Sequence, residues 1–230
     1  MLVAIPGTLC SVRVFDRLAA ELHDTTELDA VDWMSEPGPW RIDDVAARIA
    51  SRIERHGGPV LVAGHSTGGC IALALAAARP ELVSGLLLAN TGAHMRGHGD
   101  VDRILDTIAT AWGPQLHAAV LDRSFAEPVP PEFRETLLAY AASVPQAAAL
   151  EVLRSQRDRD LTAELPRIGC PATVLYGVHD RARSVGDAEA LAAGLPDCEL
   201  RFVQTGHTPV WEDAPAAAAA VRGLLDRAGR

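Results

Sequence analysis

Residues 59–79 read PVLVAGHSTGGCIALALAAAR, and this stretch decides the fold. The apolar run at 60–63 is typical of a buried parallel strand, and residues 70–78 are small and favour a helix. Between them lies a glycine-rich turn, and Pro80 marks the expected end of the helix. The stretch therefore predicts a strand, a sharp turn and a helix in immediate succession.

The turn carries the pattern Gly-x-Ser-x-Gly, with Ser66 between Gly64 and Gly68. In a strand–turn–helix context such a serine lies on a tight turn that needs small residues on both sides. The N-terminus of the following helix directs free N–H groups and the positive end of its dipole toward the serine. The pattern also occurs by chance in glycine-rich turns, but the flanking strand and helix favour a nucleophilic Ser66.

The composition of the whole chain restricts the classes of function. Its 230 residues fit one α/β domain with an insert. The formal net charge is −9 and no basic cluster is present, so we expect neither nucleic acid nor a membrane as a partner. Cys10, Cys70, Cys170 and Cys198 have no Cys-x-x-Cys spacing, which is typical of reduced thiols in a cytosolic protein. The apolar start ends at Pro6 and does not fit a signal peptide, so we expect a cytoplasmic protein.

Strand and helix patterns alternate along most of the chain. Strands are predicted at 2–5, 26–31, 60–63, 82–89, 172–176 and 198–203, and helices at 12–23, 42–55, 70–78, 185–194 and 212–228. This alternation indicates a parallel sheet with helices on both faces. Between 91 and 166 no strand pattern occurs, and prolines separate four helical stretches at 101–112, 115–125, 132–143 and 146–157. The sequence therefore predicts a core domain, 1–90 and 167–230, and an inserted helical lid, 91–166.

A serine nucleophile requires a base that takes its proton and a carboxylate that orients the base. Asp180 follows the predicted strand at 172–176, and His207 follows the strand at 198–203. Because the loops after parallel strands share one edge of the sheet, we expect Ser66, Asp180 and His207 to converge there. Asp180 could otherwise be a plain turn residue. Asn90, at the end of the strand at 82–89, cannot stabilise a charged histidine as a carboxylate does.

The chain resembles the α/β-hydrolase superfamily at three motifs. GHSTGG at 64–69 is similar to the nucleophile elbow, LYGVHD at 175–180 to the strand–turn–acid segment, and TGHTPVWEDAP at 205–215 to the histidine loop. The resemblance implies an α/β-hydrolase fold with a shortened, mostly parallel sheet of about six strands, helices on both faces and a helical lid. The two antiparallel strands that usually precede the first parallel strand in this family have no counterpart here.

The same resemblance implies the groups that bind the oxyanion. Family members often carry His-Gly after the first parallel strand, and here Pro6 replaces the histidine. The backbone N–H groups of Thr8 and Thr67 would then be the two donors. A shift of one residue would make Leu9 the first donor instead.

Several further residues are expected to have structural roles. We expect His65 to pack behind the nucleophile, His179 to face solvent or the cavity rim, and Cys10 to pack as a thiol. His94 and His98 are four residues apart, but the glycines around them favour a loop over a metal site. We expect no metal and no cofactor. The remaining aromatic residues of interest are predicted core or lid contacts, of which one or two line a pocket: Trp112, Phe125, Phe133, Tyr140 and Trp211.

The resemblance implies a serine hydrolase that cleaves an ester, thioester or lactone of a small, partly apolar molecule. The same fold and triad also serve C–C bond hydrolysis, acyl transfer and cofactor-free lyase or oxygenase steps, and fold analogy does not choose among them. A ligand-sensing receptor built on this fold is an alternative of a different class. The expected partner is a small-molecule substrate, and a homodimer is left open.

Overall fold

The computed structural model describes residues 1–96 and 98–229. Its strands are β1 (Leu2–Ile5), β2 (Leu28–Ala30), β3 (Val60–His65), β4 (Val83–Ala89), β5 (Ala172–Gly177) and β6 (Cys198–Val203). They form one six-stranded sheet in the order β2-β1-β3-β4-β5-β6, and every neighbouring pair is parallel. This confirms the predicted shortened parallel sheet. β2 is shorter than the predicted strand at 26–31, since only Leu28–Ala30 pair with β1.

The helices surround this sheet and follow the predicted order. They are α1 (Asp16–Leu22), α2 (Ile42–His56), α3 (Thr67–Ala78), α4 (Val101–Thr110), α5 (Pro114–Arg123), α6 (Pro131–Ser143), α7 (Gln146–Asp158), α8 (Val185–Gly194), α9 (Pro209–Glu212) and α10 (Ala214–Ala228). A short 3-10 turn, Val12–Phe15, precedes α1. The helix predicted at 212–228 begins at Ala214 as α10, where Asp213 caps it by accepting a hydrogen bond from the N–H of Ala216, and the separate short helix α9 precedes it.

Two hydrophobic cores cover the two faces of the sheet. Val3 and Ile5 of β1 belong to one core, whereas Leu2 and Ala4 belong to the other. Successive side chains of a strand point to opposite faces, so a strand buried on both faces is apolar throughout. The continuous apolar runs of β1 and β3 in the sequence follow from this burial.

Helix α2 shows how local sequence produces one of these layers. Ile42, Val45, Ile49 and Ile53 recur at helical spacing and are all buried, so they form the face that packs on the core. The helix ends where Gly57 adopts φ 85°, a left-handed conformation that glycine allows without steric cost.

The segment between β4 and β5 contains the four helices α4 to α7 and no strand among its described residues. Ala148, Ala149 and Val152 of α7 are fully buried in the same core as β1 and β3. The segment is therefore joined to the sheet through α7. Its role as a lid stays a prediction.

No single described helix has the length and apolar composition needed to cross a membrane. Only α6 and α7 taken together meet that requirement, and they are bent by 86° relative to each other.

Candidate active site

Ser66 lies on the turn between β3 and α3 in a strained backbone conformation. Its φ is 54° and its ψ is −122°, a region that a residue with a side chain rarely adopts. The turn is possible because its neighbours lack side chains: a Cβ on Gly64 would lie 2.5 Å from the carbonyl oxygen of Gly68. A Cβ on Gly68 would overlap the carbonyl of Ile5 in the adjacent strand. The two glycines therefore allow Ser66 to be presented at the edge of the sheet, as the sequence predicted.

Asp180 and His207 are hydrogen-bonded to each other. Asp180 follows β5, His207 follows β6, and His207 Nδ1 lies 2.8 Å from Asp180 Oδ2. The Asp180 side chain is 0% exposed and that of His207 is 10% exposed. Burial acts to raise the pKa of Asp180, but hydrogen bonds from His207 and from the backbone N–H groups of Ala182 and Arg183 outweigh it and hold the pKa below its ordinary value. Asp180 is therefore an ionised carboxylate that orients the histidine ring.

Ser66 and His207 line the same cavity, which has a volume of about 300 Å³. Because Asp180 engages Nδ1 of His207, Nε2 is the ring nitrogen that remains for Ser66. No hydrogen bond joins Ser66 Oγ to His207 among those formed by the described residues, so that contact stays a prediction. Eleven aliphatic residues of the lining come from the four helices between β4 and β5: Val101, Ile104, Ile108, Leu116, Ala119, Val120, Leu121, Leu137, Leu138, Ala141 and Leu153.

Glu212 holds the loop that carries His207. Its Oε2 accepts hydrogen bonds from the N–H of Gly206 at 3.0 Å and of Ala126 at 2.8 Å, and its Oε1 accepts from the N–H of Thr208 at 3.1 Å. Gly206 and Thr208 are the two neighbours of His207 in the chain, so one carboxylate fixes the backbone on both sides of the histidine. The bond to Ala126 also ties this loop to the segment between α5 and α6.

Asn90 and His65 provide further support behind the histidine. Asn90 Nδ2 donates to the carbonyl of Gly206 at 2.7 Å, and its Oδ1 accepts from the N–H of Gly177 at 2.8 Å, so the amide bridges two strand ends. His65 Nε2 lies 2.8 Å from the carbonyl oxygen of His207. Burial, together with the nearby His207, lowers the pKa of His65 to about 3, so its ring is neutral and donates from Nε2.

The backbone around Gly7 lies against Ser66 and separates the two alternatives for the first oxyanion donor. A Cβ on Gly7 would lie 2.9 Å from Ser66 Cβ, which shows how closely this loop approaches the serine. The N–H of Leu9 donates to Met34 Sδ at 3.2 Å, and Leu9 has a φ of 59°. The N–H of Thr8 has no such partner among the described residues. The N–H of Leu9 is thus engaged elsewhere, and Thr8 as the first oxyanion donor stays a prediction.

The side chains of the two candidate donor residues are connected. Thr8 Oγ1 donates to Thr67 Oγ1 at 2.9 Å, and Thr67 Oγ1 donates to Gln156 Oε1 at 3.1 Å. Thr67 is the first residue of α3, so its N–H is one of the free donors at a helix N-terminus. The hydroxyl chain fixes the two residues relative to each other and to α7, which carries Gln156.

Comparison with known proteins assigns the family. The model of the family described as "Alpha/beta hydrolase family" matches residues 2–221. The chain belongs to the alpha/beta hydrolase family. It is 27% identical to the lipase LipV of Mycobacterium tuberculosis and 28% identical to a pimeloyl-[acyl-carrier protein] methyl ester esterase of Stenotrophomonas maltophilia. Each alignment covers 97% of this chain and 92% of the relative.

Solved structures show the same fold. The enol-lactonase of Burkholderia xenovorans LB400 superposes with a TM-score of 0.87 at 20% identity, over 98% of this chain and 90% of that one. The esterase EaEST of Exiguobacterium antarcticum superposes with a TM-score of 0.85 at 17% identity, over 98% and 92% of the two chains. The predicted fold and superfamily are confirmed, and the chain is an alpha/beta hydrolase enzyme of the ester-hydrolysing class.

The histidines and the cysteine that the sequence analysis singled out lie in different environments in this alpha/beta hydrolase. His179 is exposed, and burial raises the pKa of the Cys10 thiol to about 12, so Cys10 is not a reactive thiolate. His94 and His98 are not part of any cluster of three or more metal-ligating side chains among the described residues. Of the aromatic residues, Phe125 lines the cavity.

The remaining aromatic side chains make contacts away from the nucleophile. Phe133 stacks on Trp211 with ring centroids 3.7 Å apart, which joins α6 to α9. The hydroxyl of Tyr140 donates to Asp32 Oδ1 at 2.6 Å, which joins α6 to the loop after β2. These contacts attach the helical segment to the sheet domain.

Several polar residues of the site were not predicted from the sequence. Among them are Glu212, Arg183 and His117; the last two line the cavity and are 5% and 4% exposed. Glu212 lies within the histidine-loop motif, so that motif was a signal that could have drawn attention to it. Nothing in the local sequence distinguishes the buried Arg183 from its exposed neighbour Arg181.

Proposed function

We propose that this alpha/beta hydrolase is a serine hydrolase that cleaves an ester of a small, partly apolar molecule, with Ser66 as nucleophile. The observation that carries the proposal is the 2.8 Å bond between His207 and the buried Asp180, with Ser66 on a strained turn beside the same cavity. This is the arrangement that activates a serine hydroxyl. The printed names of the relatives, a lipase and a methyl ester esterase, support the same reaction class.

The proposed reaction follows from the positions of these groups. Nε2 of His207 accepts the proton of Ser66 as its oxygen attacks the ester carbonyl, and ionised Asp180 stabilises the charged ring. The N–H groups of Thr8 and Thr67 donate to the oxyanion, each contributing roughly 3 kcal/mol to transition-state stabilisation. His207 then returns the proton to the departing alcohol, and water releases the acid from Ser66 in a second round.

The cavity supports a small substrate with an apolar part. Its volume of about 300 Å³ lies at the lower end of the range of roughly 300–1,000 Å³ for ligand pockets. Its wall over the serine is formed by aliphatic residues of α4, α5, α6 and α7. We further propose that residues 91–166 act as a lid whose side chains select the substrate.

Labelling and turnover together test this function. A fluorophosphonate probe should label the wild-type protein and not Ser66→Ala, and Ser66→Ala should lose at least roughly 10³-fold in kcat/KM on p-nitrophenyl esters. Ser143→Ala is the matched control, because Ser143 is exposed and lies outside the cavity lining. Parallel assays with thioesters, lactones and C–C substrates identify the bond that is cleaved.

Two results would overturn the proposal. Wild-type turnover by Ser66→Ala would place the chemistry on another residue. Specific ligand binding without turnover of any of these substrates would favour the receptor alternative.

A further inference from the structure

Arg183 places a guanidinium in the wall of the cavity beside the proposed catalytic residues. It is 5% exposed and lines the cavity together with Ser66 and His207. Its Nη1 donates to the carbonyl of His94 at 2.9 Å. A guanidinium has five N–H donors, and the described residues accept no further hydrogen bond from this one. Within the described part of the chain, most of its donor capacity is therefore left for another partner.

The carboxylate that pairs with Arg183 accepts no hydrogen bond from it. Asp187 Oδ1 lies 3.9 Å from Arg183 Nη1, which is beyond hydrogen-bond distance. The other oxygen, Asp187 Oδ2, accepts from the N–H of Ser184 at 3.0 Å and from its hydroxyl at 2.9 Å, as part of the cap of α8. Burial lowers the pKa of Arg183, yet a guanidinium remains protonated in a protein. Among the described residues, Asp187 therefore gives Arg183 a long ion pair but no hydrogen bond, and a bound anion would supply the missing acceptor.

The rest of the lining adds to this positive charge. Arg123 lies on the same cavity at the end of α5, is exposed, and has no ion pair among the described residues. His98 lies near both arginines: burial, followed by the charges of Arg183 and Arg123, lowers its pKa to about 4. It is therefore neutral near pH 7. The described lining contains these two arginines and no Asp or Glu, although the chain has a formal net charge of −9. The charged side chains that line the cavity are thus both cationic, while the carboxylates of Asp187 and Asp180 lie close to Arg183 outside the lining.

We propose that Arg183, assisted by Arg123, binds an anionic group of the substrate, so that the substrate is an ester or thioester that also carries a carboxylate or a phosphate. The aliphatic surface of the four helices holds the apolar part, and the arginines bind the charged part. This inference rests on the proposed serine hydrolase function. The competing explanation is that Arg183 only holds the backbone at His94, which requires no particular substrate.

Matched substrate pairs test the inference and distinguish the two anions. For a carboxylate in the acyl group, mono-p-nitrophenyl glutarate is compared with p-nitrophenyl pentanoate, which has the same chain length. For phosphate in the leaving group, an acyl-coenzyme A is compared with the same acyl-N-acetylcysteamine, which is neutral. The wild-type protein should prefer the anionic member of at least one pair. Arg183→Met should lower the anionic-to-neutral ratio of kcat/KM by about 10- to 100-fold, the range for loss of a hydrogen bond to a charged group.

Arg181→Met is the matched control, because Arg181 is exposed, lies two residues away and is not part of the lining. It should leave the ratio unchanged. The ratio is the readout because losses of folded protein or of triad geometry affect both members of a pair and cancel. An unchanged ratio in Arg183→Met would favour the purely structural role and overturn the inference.

Two measurements keep the test decisive if Arg183→Met does not fold. In the wild-type protein, glutarate should inhibit hydrolysis of the neutral ester more strongly than pentanoate. Arg123→Met, at an exposed position, should reduce the same anionic-to-neutral ratio to a smaller extent. Absence of both effects overturns the inference.

Failure of this inference is distinguishable from failure of the proposed function. If wild-type protein hydrolyses neutral esters through Ser66 but shows no anionic preference in either pair and no selective inhibition by glutarate, the function stands and the anion site is rejected. If neither class is hydrolysed and Ser66 is not labelled, the function is rejected. In that case calorimetry tests the anion site separately from the reaction. Binding of glutarate to wild-type protein that is lost in Arg183→Met supports the site, and absence of binding to wild-type protein rejects it.

Discussion

His65 should make this alpha/beta hydrolase sensitive to acid. Its buried ring is neutral and donates to the carbonyl of His207, and burial lowers its pKa from 6.5 to about 3. The unfolded chain therefore binds a proton at this residue between about pH 6.5 and 3, whereas the folded chain does not. The stabilisation associated with the neutral ring is fully present above pH 6.5 and is lost as the pH falls toward 3. We expect His65→Gln, which keeps an N–H donor but does not titrate, to lose less stability in acid.

The size of this loss of stability in acid follows from the folded and unfolded pKa values of His65. A group that titrates at about 6.5 when unfolded and about 3 when folded loses close to 1.4 kcal/mol of stability per pH unit in between. Between about pH 7 and about pH 4.5 this integrates to roughly 2.5 kcal/mol. Other buried histidines, such as His98 and His117, also have lowered pKa values and destabilise the fold in acid. Both proteins share those residues, so the difference between them isolates His65.

Urea unfolding followed by tryptophan fluorescence measures this difference directly. The free energy of unfolding of wild-type protein should fall by roughly 2.5 kcal/mol more than that of His65→Gln between the two pH values. His179→Gln is the control, because His179 is exposed on the loop before Asp180 and its replacement should leave the acid loss as in wild type. Equal losses in wild type and His65→Gln would refute the argument that a buried neutral His65 opposes protonation.

Two further expectations concern the histidine loop and the helical segment. Glu212→Gln replaces one carboxylate oxygen by an NH₂ group opposite backbone donors, so it should cost about 1–3 kcal/mol of stability and lower kcat. Urea unfolding and ester hydrolysis measure these two losses, and Glu189→Gln, at an exposed position, is the control. A loss of stability and kcat no larger than that of the control would argue against a role of Glu212 in holding the histidine loop. Amide hydrogen exchange should be faster in α5, where only His117 is buried, than in fully buried β3, and a bound substrate analogue should slow it. Uniform exchange would contradict a mobile α5.

The fold and the three proposed catalytic residues were predictable because each depends on a local pattern. The apolar run before Ser66 and the small residues after it specify β3, the turn and α3 without knowledge of the rest of the chain. Asp180 and His207 each follow a strand, and parallel strands of one sheet end at the same edge. This rule predicts that the two residues lie close together. Their 2.8 Å contact agrees with that expectation.

The supporting contacts were not predictable, because they join segments far apart in sequence. Glu212 accepts from Ala126 across 86 positions, and the N–H of Leu9 donates to Met34 Sδ from another loop. The burial of Arg183 depends on how the segment after β4 packs against the start of α8. A pattern of residue types along one segment contains none of this information.

Two helices of the predicted lid, α7 and α5, differ in how they are bonded to and buried against the sheet domain. α7 is bonded to the sheet domain through Ser155, whose hydroxyl accepts from the N–H of Ile42 at 3.0 Å, and through Gln156, which accepts from Thr67 beside the nucleophile. Motion of α7 would break the hydroxyl chain to the oxyanion loop. α5 has no comparable burial, yet it contributes aliphatic residues and Arg123 to the cavity. If α5 opens the site, we expect its N-terminal part to move, because Ser124 and Ala126, directly after the helix, are bonded to Thr208 and Glu212 of the histidine loop.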